Sequence, residues 1–452
     1  MTIAAISTAK SAAGIGIVRL SGEGSIALAE GFFKSKQSLS DPSNDRKLLY
    51  GHFVCDEEVI DEVLCVAFRG PFSYTGEDMV EVQAHGSRIG LERILDCFIS
   101  AGAEPAKRGE FTKIAFLNGK LDLTEAEAII DMIESESISA QKQSARQLSG
   151  HLYRKIEGFR TCLKDTLAHL VADIDFSTEE VEPVDVSALV ETAEGILKEM
   201  RALEATFARG KLIQEGIATA IVGKPNVGKS SFLNKILRED KAIVTDIPGT
   251  TRDVLEASVS LNGIHLRIQD TAGIRKTDDT IEQIGIERAV DSMEKADLII
   301  ALFDASKPLD DTDRAIIEKI ASRRAICLLN KQDLGSVLHK KEMEVYFPGA
   351  VVETSLIEDK GLEAVEGLIE SWFLSGAIEE EEIQIYSLRH KKLLSEGIDS
   401  LSKAIEDIRT GIGLDLAEVY MEDTFLKLGE ITGQTAGEEV LDHVFSKFCI
   451  GK

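Results

Sequence analysis

The run Ile217-Ala218-Thr219-Ala220-Ile221-Val222 leads directly into Gly223-Lys224-Pro225-Asn226-Val227-Gly228-Lys229-Ser230, and this junction decides the reading of the chain. Six apolar or small residues read as a buried strand, and residues 230–237 read as a helix. Between them, Gly223 and Gly228 let backbone N–H groups close around phosphate, while the helix start adds favourable partial charge. Strand before and helix after are the context that makes such a pattern a phosphate loop. In that setting Lys229 reaches the β/γ-phosphates and Ser230 ligates Mg2+, with Asn226, Val227, Gly228 and Ser231 completing the loop contacts.

Two further motifs follow in order. Asp270-Thr271-Ala272-Gly273 closes an expected strand at 264–269, where Asp270 would bind Mg2+ through water and Gly273 would offer its N–H to a γ-phosphate. In Asn330-Lys331-Gln332-Asp333 the carboxylate can accept from N1–H and the exocyclic amine of guanine. Adenine lacks that pair of donors, so such a site rejects ATP. Ser355, in Glu353-Thr354-Ser355-Leu356, is expected to support the base, although Leu356 stands where the pattern usually has alanine. The loop Thr245-Asp246-Ile247-Pro248-Gly249-Thr250-Thr251 reads as a switch segment lining the nucleotide, with Thr251 meeting Mg2+ when the γ-phosphate is present. After Gly273 comes Ile274, where many small GTPases carry a water-orienting glutamine, so hydrolysis needs another route.

Strands at 217–222, 264–269, 298–303 and 325–329 alternate with helical segments, which predicts a doubly wound parallel sheet with its ligand site at the carboxyl ends of the strands. At 452 residues the chain needs more than this one domain. Residues 1–118 read as α+β, with strands at 15–20, 63–68 and 80–84 and a helix at 91–101. From Thr124 the period turns helical, opened by a capping box expected at Thr124-x-x-Glu127. Leu148, Leu152, Ile156, Phe159, Leu163, Leu167 and Leu170 form one apolar stripe; Leu394, Ile398, Leu401, Ile405 and Ile408 form another. Neither stripe buries itself alone, so the two regions are expected to join in one helical bundle. The expected organisation is thus a multidomain chain: an α+β N-terminal domain at 1–118, a helical domain at 119–210 and 377–452, and an inserted α/β P-loop GTPase domain of Ras-like type at 211–376.

The formal net charge is −27, which counts against large nonspecific nucleic-acid contact without excluding a local basic patch. Six scattered cysteines form no CxxC pair, which argues against a zinc ribbon or a disulfide framework and fits a reducing compartment. No apolar run approaches the roughly 20 residues that span a bilayer, and residues 1–11 lack the regions of a secretory signal. A cytoplasmic protein with no membrane partner is expected.

Further stretches narrow the class. Gly249-Thr250-Thr251-Arg252-Asp253, Ile284-Gly285-Ile286-Glu287-Arg288-Ala289 and Phe448-Cys449-Ile450-Gly451-Lys452 resemble the tRNA-modification GTPase family called MnmE or TrmE. The likeness extends through Phe72-Ser73-Tyr74-Thr75-Gly76-Glu77-Asp78, Gly109-Glu110-Phe111-Thr112 and Phe116-Leu117-Asn118-Gly119-Lys120-Leu121-Asp122-Leu123. It covers essentially the whole chain. The resemblance implies a homodimer whose N-terminal domain dimerises and binds a folate donor, 5-formyl- or 5,10-methylene-tetrahydrofolate. It also implies a flavin-dependent partner of the MnmG (GidA) type, joined in a heterotetramer and carrying the FAD. Together they would place an aminomethyl or carboxymethylaminomethyl group on C5 of the wobble uridine of certain tRNAs.

By motif, Arg19, Glu81, Lys120 and Lys452 would contact the folate, and Cys449 would take part in the tRNA chemistry. Arg19 shares a strand face with Ile15 and Ile17, an odd place for a charge without a ligand or partner. The resemblance also answers the absent glutamine. It implies K+ beside the nucleotide, held by Asn226, Thr245, Ile247 and Thr250, which neutralises developing charge much as an arginine finger does. Glu282 would orient the attacking water, so Asn226, Lys229 and Glu282 form the expected catalytic set. The rival reading is a ribosome-assembly GTPase switch that binds rRNA; it predicts a GxxG-containing RNA-binding module or basic tails, and neither is found in the sequence. Arg389-His390-Lys391-Lys392 is the local candidate for tRNA contact, with a charged helix start as its simpler reading.

Overall fold

In the strand Ala13–Ser21, Val18 and Leu20 point into a core while Ile15, Ile17 and Arg19 point to the opposite face, the period of two of a sheet whose faces are unequally covered. The computed structural model describes residues 1–9, 11–175, 186–239, 257–261, 264–268, 293–347, 349–373, 383–410 and 414–452. These divide into two units, one of Met1–Ile130, Gln147–Leu197 and Leu393–Lys452, the other of Asp131–Arg146 and Lys198–Lys392.

The first unit contains a seven-stranded sheet of β1 (Ile3–Ile6), β2 (Ala13–Ser21), β3 (Phe33–Lys34), β4 (Leu49–Cys55), β5 (Glu58–Phe68), β6 (Met79–Gly86) and β7 (Glu104–Pro105). Its order is β3-β4-β5-β6-β2-β1-β7, antiparallel except for the β1/β7 pair. Helix Arg88–Ser100, capped by Ser87, buries Leu91, Ile94 and Phe98 in a core shared with Val18, Leu20, Phe53, Val80 and Val82. The rings of Phe32, Phe53 and Phe98 pack mutually at the edge-to-face and stacked distances that aromatic quadrupoles favour. The expected strands lie within β2, β5 and β6. The cysteines differ from the expectation, because Cys55 at the end of β4 is joined to Cys97 in a disulfide with Cα–Cα 6.6 Å. The fold, not a spacing motif, brings these two together.

In the helical part of this unit, helix His151–Asp175 packs against helix Leu414–Thr432. Leu152, Ile156, Phe159, Leu163 and Leu170 of the first stripe are buried, as are all five residues of the second. Leu148 stays 37% exposed, so the stripe begins at Leu152. The capping box sits two residues before the expected one. Asp122 Oδ1 accepts from the N–H of Thr124 (2.6 Å) and Glu125 (3.2 Å), and Glu125 Oε2 accepts from the N–H of Asp122 (2.9 Å). Leu123 belongs in the core with Val444, Phe445 and Phe448, so the helix Leu123–Glu134 has to start there and Thr124 lies inside it.

The second unit carries a six-stranded sheet of β8 (Ile217–Val222), β9 (Ala257–Leu261), β10 (Ile264–Ile268), β11 (Leu298–Asp304), β12 (Ala325–Asn330) and β13 (Ala350–Glu353), in the order β13-β12-β11-β8-β10-β9. All pairs are parallel except β9/β10. Every residue of β8 and β12 is buried, because helices cover both faces of a doubly wound sheet. One apolar cluster, with Phe232, Ile236, Leu356 and Ile369, covers one face; a second, with Ile317, Ile320, Met343 and Phe347, covers the other.

Candidate functional site

The strand β8 ends at Val222, and the loop turns through Gly223 (φ 143°), Asn226 (φ 62°) and Gly228 (φ 112°) into helix Lys229–Glu239. A Cβ on Gly223 would lie 2.5 Å from the Leu302 carbonyl oxygen, and one on Gly228 would lie 2.3 Å from Asn330 Nδ2. Both positions therefore need glycine for conformation and for space. Lys229 Nζ donates to the carbonyls of Gly223 and Lys224, both at 2.7 Å, and burial pushes its ammonium below the ordinary lysine range. Asn226, Ser230 and Ser231 are exposed around the loop, whereas Val227 is buried beneath it.

Asn330 ends β12 almost fully buried, at 3% exposure, and ties the loops together. Its Nδ2 donates to the Val227 carbonyl at 2.8 Å, and its Oδ1 accepts from the Leu356 N–H at 3.3 Å. Lys331 stands at φ 70° and its Nζ donates to Asp304 Oδ2 at 2.7 Å. Buried Ser355 donates its hydroxyl to Asp333 Oδ1 at 2.7 Å, which orients the carboxylate expected to read guanine. Leu356, the departure from alanine, is 7% exposed and packs in the core beside Gly228, so the substitution fills space under the loop. Lys235 Nζ, on the helix after the phosphate loop, donates to the Leu356 carbonyl at 2.7 Å and pairs with Asp359. Neither Lys235 nor Asn330's bridging role is signalled locally in the sequence.

The structure thus brings Asn226, Val227, Gly228, Lys229, Ser230, Ser231, Asn330, Lys331, Asp333 and Ser355 to the carboxyl ends of neighbouring strands. Thr245, Asp246, Ile247, Pro248, Gly249, Thr250, Thr251, Asp270, Thr271, Ala272, Gly273 and Glu282 lie outside the described residues.

A second constellation lies in the first unit. Arg19 on β2 stands directly across from Glu81 on β6, with Nη2 and Oε1 2.7 Å apart and side chains 14% and 15% exposed. The guanidinium also lies 5.6 Å from the ring centroids of both Tyr74 and Phe111, and Nη1 donates to the Gly451 carbonyl at 3.3 Å. Arg108 Nε donates to the Phe448 carbonyl at 2.9 Å, so two arginines hold residues 448–451 against the sheet. Lys452 is brought to the same place. Burial lowers its pKa below the ordinary lysine value and Arg19 adds to this, against the opposing pull of Glu81 and Cys449. Lys120 instead donates to the Pro71 carbonyl at 2.9 Å, and Cys449 is exposed. In the Arg389–Lys392 cluster, His390 is fully buried and Lys391 Nζ lies 4.8 Å from the Phe207 ring, so only part of the cluster faces outward.

A glycine-shaped loop joined to a serine-backed Asn-Lys-x-Asp turn, on a doubly wound sheet, defines the class: a multidomain protein with a P-loop GTPase domain. Comparison with known proteins narrows it. Residues 2–120 match the model of the GTP-binding protein TrmE N-terminus, and residues 123–449 match the MnmE helical domain. The tRNA modification GTPase MnmE of Finegoldia magna is 43% identical across 100% of this chain and 99% of its own. That of Alkaliphilus metalliredigens is 44% identical across 100% of this chain and 99% of its own. A solved structure of Aquifex aeolicus Era bound to GDP and AlF4− is 28% identical over 40% of this chain and 65% of its own, with a TM-score of 0.27. The chain belongs to the MnmE family of tRNA modification GTPases. Among the described residues no helix is long and apolar enough to cross a membrane.

Proposed function

We propose that this chain hydrolyses GTP and acts in tRNA modification, and that it does so as a homodimer with a flavin-dependent partner of the MnmG (GidA) type. The reaction class is installation of an aminomethyl or carboxymethylaminomethyl group on C5 of wobble uridine, with a tetrahydrofolate as one-carbon donor and FAD held by the partner. The observation that carries the nucleotide part is the Asn330 bridge, which joins the phosphate loop at Val227 to the base loop at Leu356. Full-length likeness to tRNA modification GTPases carries the rest. In this reading the domains are 1–118, 119–210 with 377–452, and 211–376.

Within the site, Lys229 moves from loop carbonyls to the β/γ-phosphates, and Asp333, oriented by Ser355, accepts from guanine. Ser230 is exposed at the helix start and fits Mg2+, for which hydroxyl oxygen is a suitable donor, with Thr251 as the second ligand. Asn226 is exposed at the left-handed turn of the loop and fits K+ through its amide oxygen, with Thr245, Ile247 and Thr250 as further ligands. These ions supply charge neutralisation when bound, and Glu282 orients the attacking water. Arg19, Glu81 and Lys452 form the folate contact, joined by Lys120, with Cys449 beside them as the tRNA-chemistry candidate. The test is nucleoside analysis of tRNA from cells lacking the protein. Loss of C5-aminomethyl-type wobble uridines, restored by the intact chain but not by Lys229→Ala, is expected; unchanged modification overturns the proposal.

A further inference from the structure

The outer limb of the phosphate loop is held by a lysine whose side chain takes no part in the contacts described so far. Lys224 follows Gly223, and its ammonium donates to Asp310 Oδ2 at 2.7 Å and to Asp313 Oδ2 at 2.6 Å. Both carboxylates belong to a capping box at the start of helix Asp311–Ile320. Asp310 accepts from the N–H groups of Thr312 and Asp313, and Asp313 accepts from the N–H of Asp310. The side chain of Asp313 is 6% exposed and that of Lys224 22%, so this bond is shielded from bulk water and keeps more of its strength, whereas Asp310, 57% exposed, adds the weaker half of the clamp. Burial disfavours the Lys224 charge, yet its bonds to the two carboxylates leave its pKa above the ordinary lysine value. The bond to Lys224 in turn holds Asp310 below the usual carboxylate range.

The same residue faces the nucleotide site through its backbone. The carbonyl of Lys224 accepts from Lys229 Nζ at 2.7 Å, and two residues further on Asn226 makes the left-handed turn. One lysine thus anchors the loop to a helix with its side chain and holds the other lysine with its main chain. We infer that Lys224, clamped by Asp310 and Asp313, is a positioning residue that fixes the open limb of the phosphate loop before nucleotide arrives. The inference rests on the reading of this loop as a GTP site. Without the clamp, binding itself has to order the limb. That weakens ground state and transition state alike, so KM rises while kcat holds.

The test is steady-state GTP hydrolysis by the full chain carrying Lys224→Ala, Lys224→Arg or the pair Asp310→Asn with Asp313→Asn. Asparagine at 310 preserves the helix cap, so the pair removes charge without removing the cap. Lys224→Ala is expected to raise KM about tenfold with kcat within about twofold. Lys224→Arg stays near the parent, the Asn pair reproduces the alanine loss, and combining the two adds nothing. A KM change below about twofold, a loss chiefly in kcat, a loss that Arg does not restore, or additive losses would each overturn the clamp. Should Lys224→Ala fail to fold, the Asn pair gives the same reading. An unaltered chain that does not hydrolyse GTP overturns the site assignment instead.

Discussion

Truncating Asn330 to alanine separates what the nucleotide site takes from its ligand and what it builds for itself. The side chain is 3% exposed and makes one bond to each of two loops, to the Val227 carbonyl at 2.8 Å and from the Leu356 N–H at 3.3 Å. Asn330→Ala removes both and leaves a carbonyl and an N–H without these partners. Each bond contributes about 1–1.5 kcal/mol net, so about 2–3 kcal/mol is lost. If the bridge is what keeps the phosphate and base loops in register, nucleotide has to reassemble them, and GDP affinity falls about 30- to 150-fold. Calorimetric titration of GDP into both proteins measures this directly. If other contacts hold the loops, the same free energy appears only as a fall of about 4–12 °C in melting temperature. A dissociation constant within about threefold of the parent, beside such a fall, would refute the bridge as the origin of affinity.

Two further outcomes follow from the site and the first unit. If K+ at Asn226 takes the part of an arginine finger, as proposed, replacing Na+ by K+ at equal ionic strength should raise GTP turnover at least about tenfold; equal rates in both salts would remove K+ from the mechanism. Asp122 gives a pH test. Burial, with the nearby Glu125 carboxylate, pushes its carboxyl up to about 6, and Oδ2 finds no hydrogen-bond partner among the described residues. A folded-state pKa raised above the unfolded one stabilises the fold at low pH, and this contribution is lost as pH rises from about 4 through about 6. Asp122→Asn keeps a good helix cap and removes the charge, so it should melt above the parent at pH 8 and lose that advantage toward pH 4 in paired thermal melts. A variant less stable than the parent at pH 8 contradicts the argument.

What could be read from the chain alone follows from how local each cause is. The phosphate loop was legible because its glycines answer to backbone conformation and crowding within a dozen residues. The sheet behind it was legible because β8, β11 and β12 are apolar runs buried on both faces. The hairpin β4/β5 was not, because its turn residues Asp56 and Glu57 adopt φ 50° and 66° without the glycine that usually marks such a turn. Asp122 and Thr124 are both good caps, and only the burial of Leu123 against Phe445 and Phe448 selects Asp122. Arg19 stood out as a misplaced charge, yet its partner Glu81 follows only from the β2/β6 register. The partners of Lys224 are 86 and 89 residues away in sequence, and no local pattern could name them.

The two halves of the nucleotide site are therefore built on different terms. On the base side the polar groups already satisfy one another: Ser355 holds Asp333, Asp304 holds Lys331, Lys235 holds Leu356, and Asn330 closes the set. A ligand meeting such groups finds their geometry fixed, and in the proposed function an analogue that cannot donate to Asp333 leaves that carboxylate with Ser355 alone, so this half discriminates between bases. On the phosphate side the Lys229 ammonium is partly buried and rests on two carbonyl dipoles. Burial already disfavours its charge, and a polyphosphate offers full negative charges in place of dipoles. In the proposed function, transfer of Lys229 from carbonyls to phosphate is thus favourable in a way no base contact can be. The limb that presents those carbonyls is also the one Lys224 anchors, so anchoring and affinity meet at the same backbone.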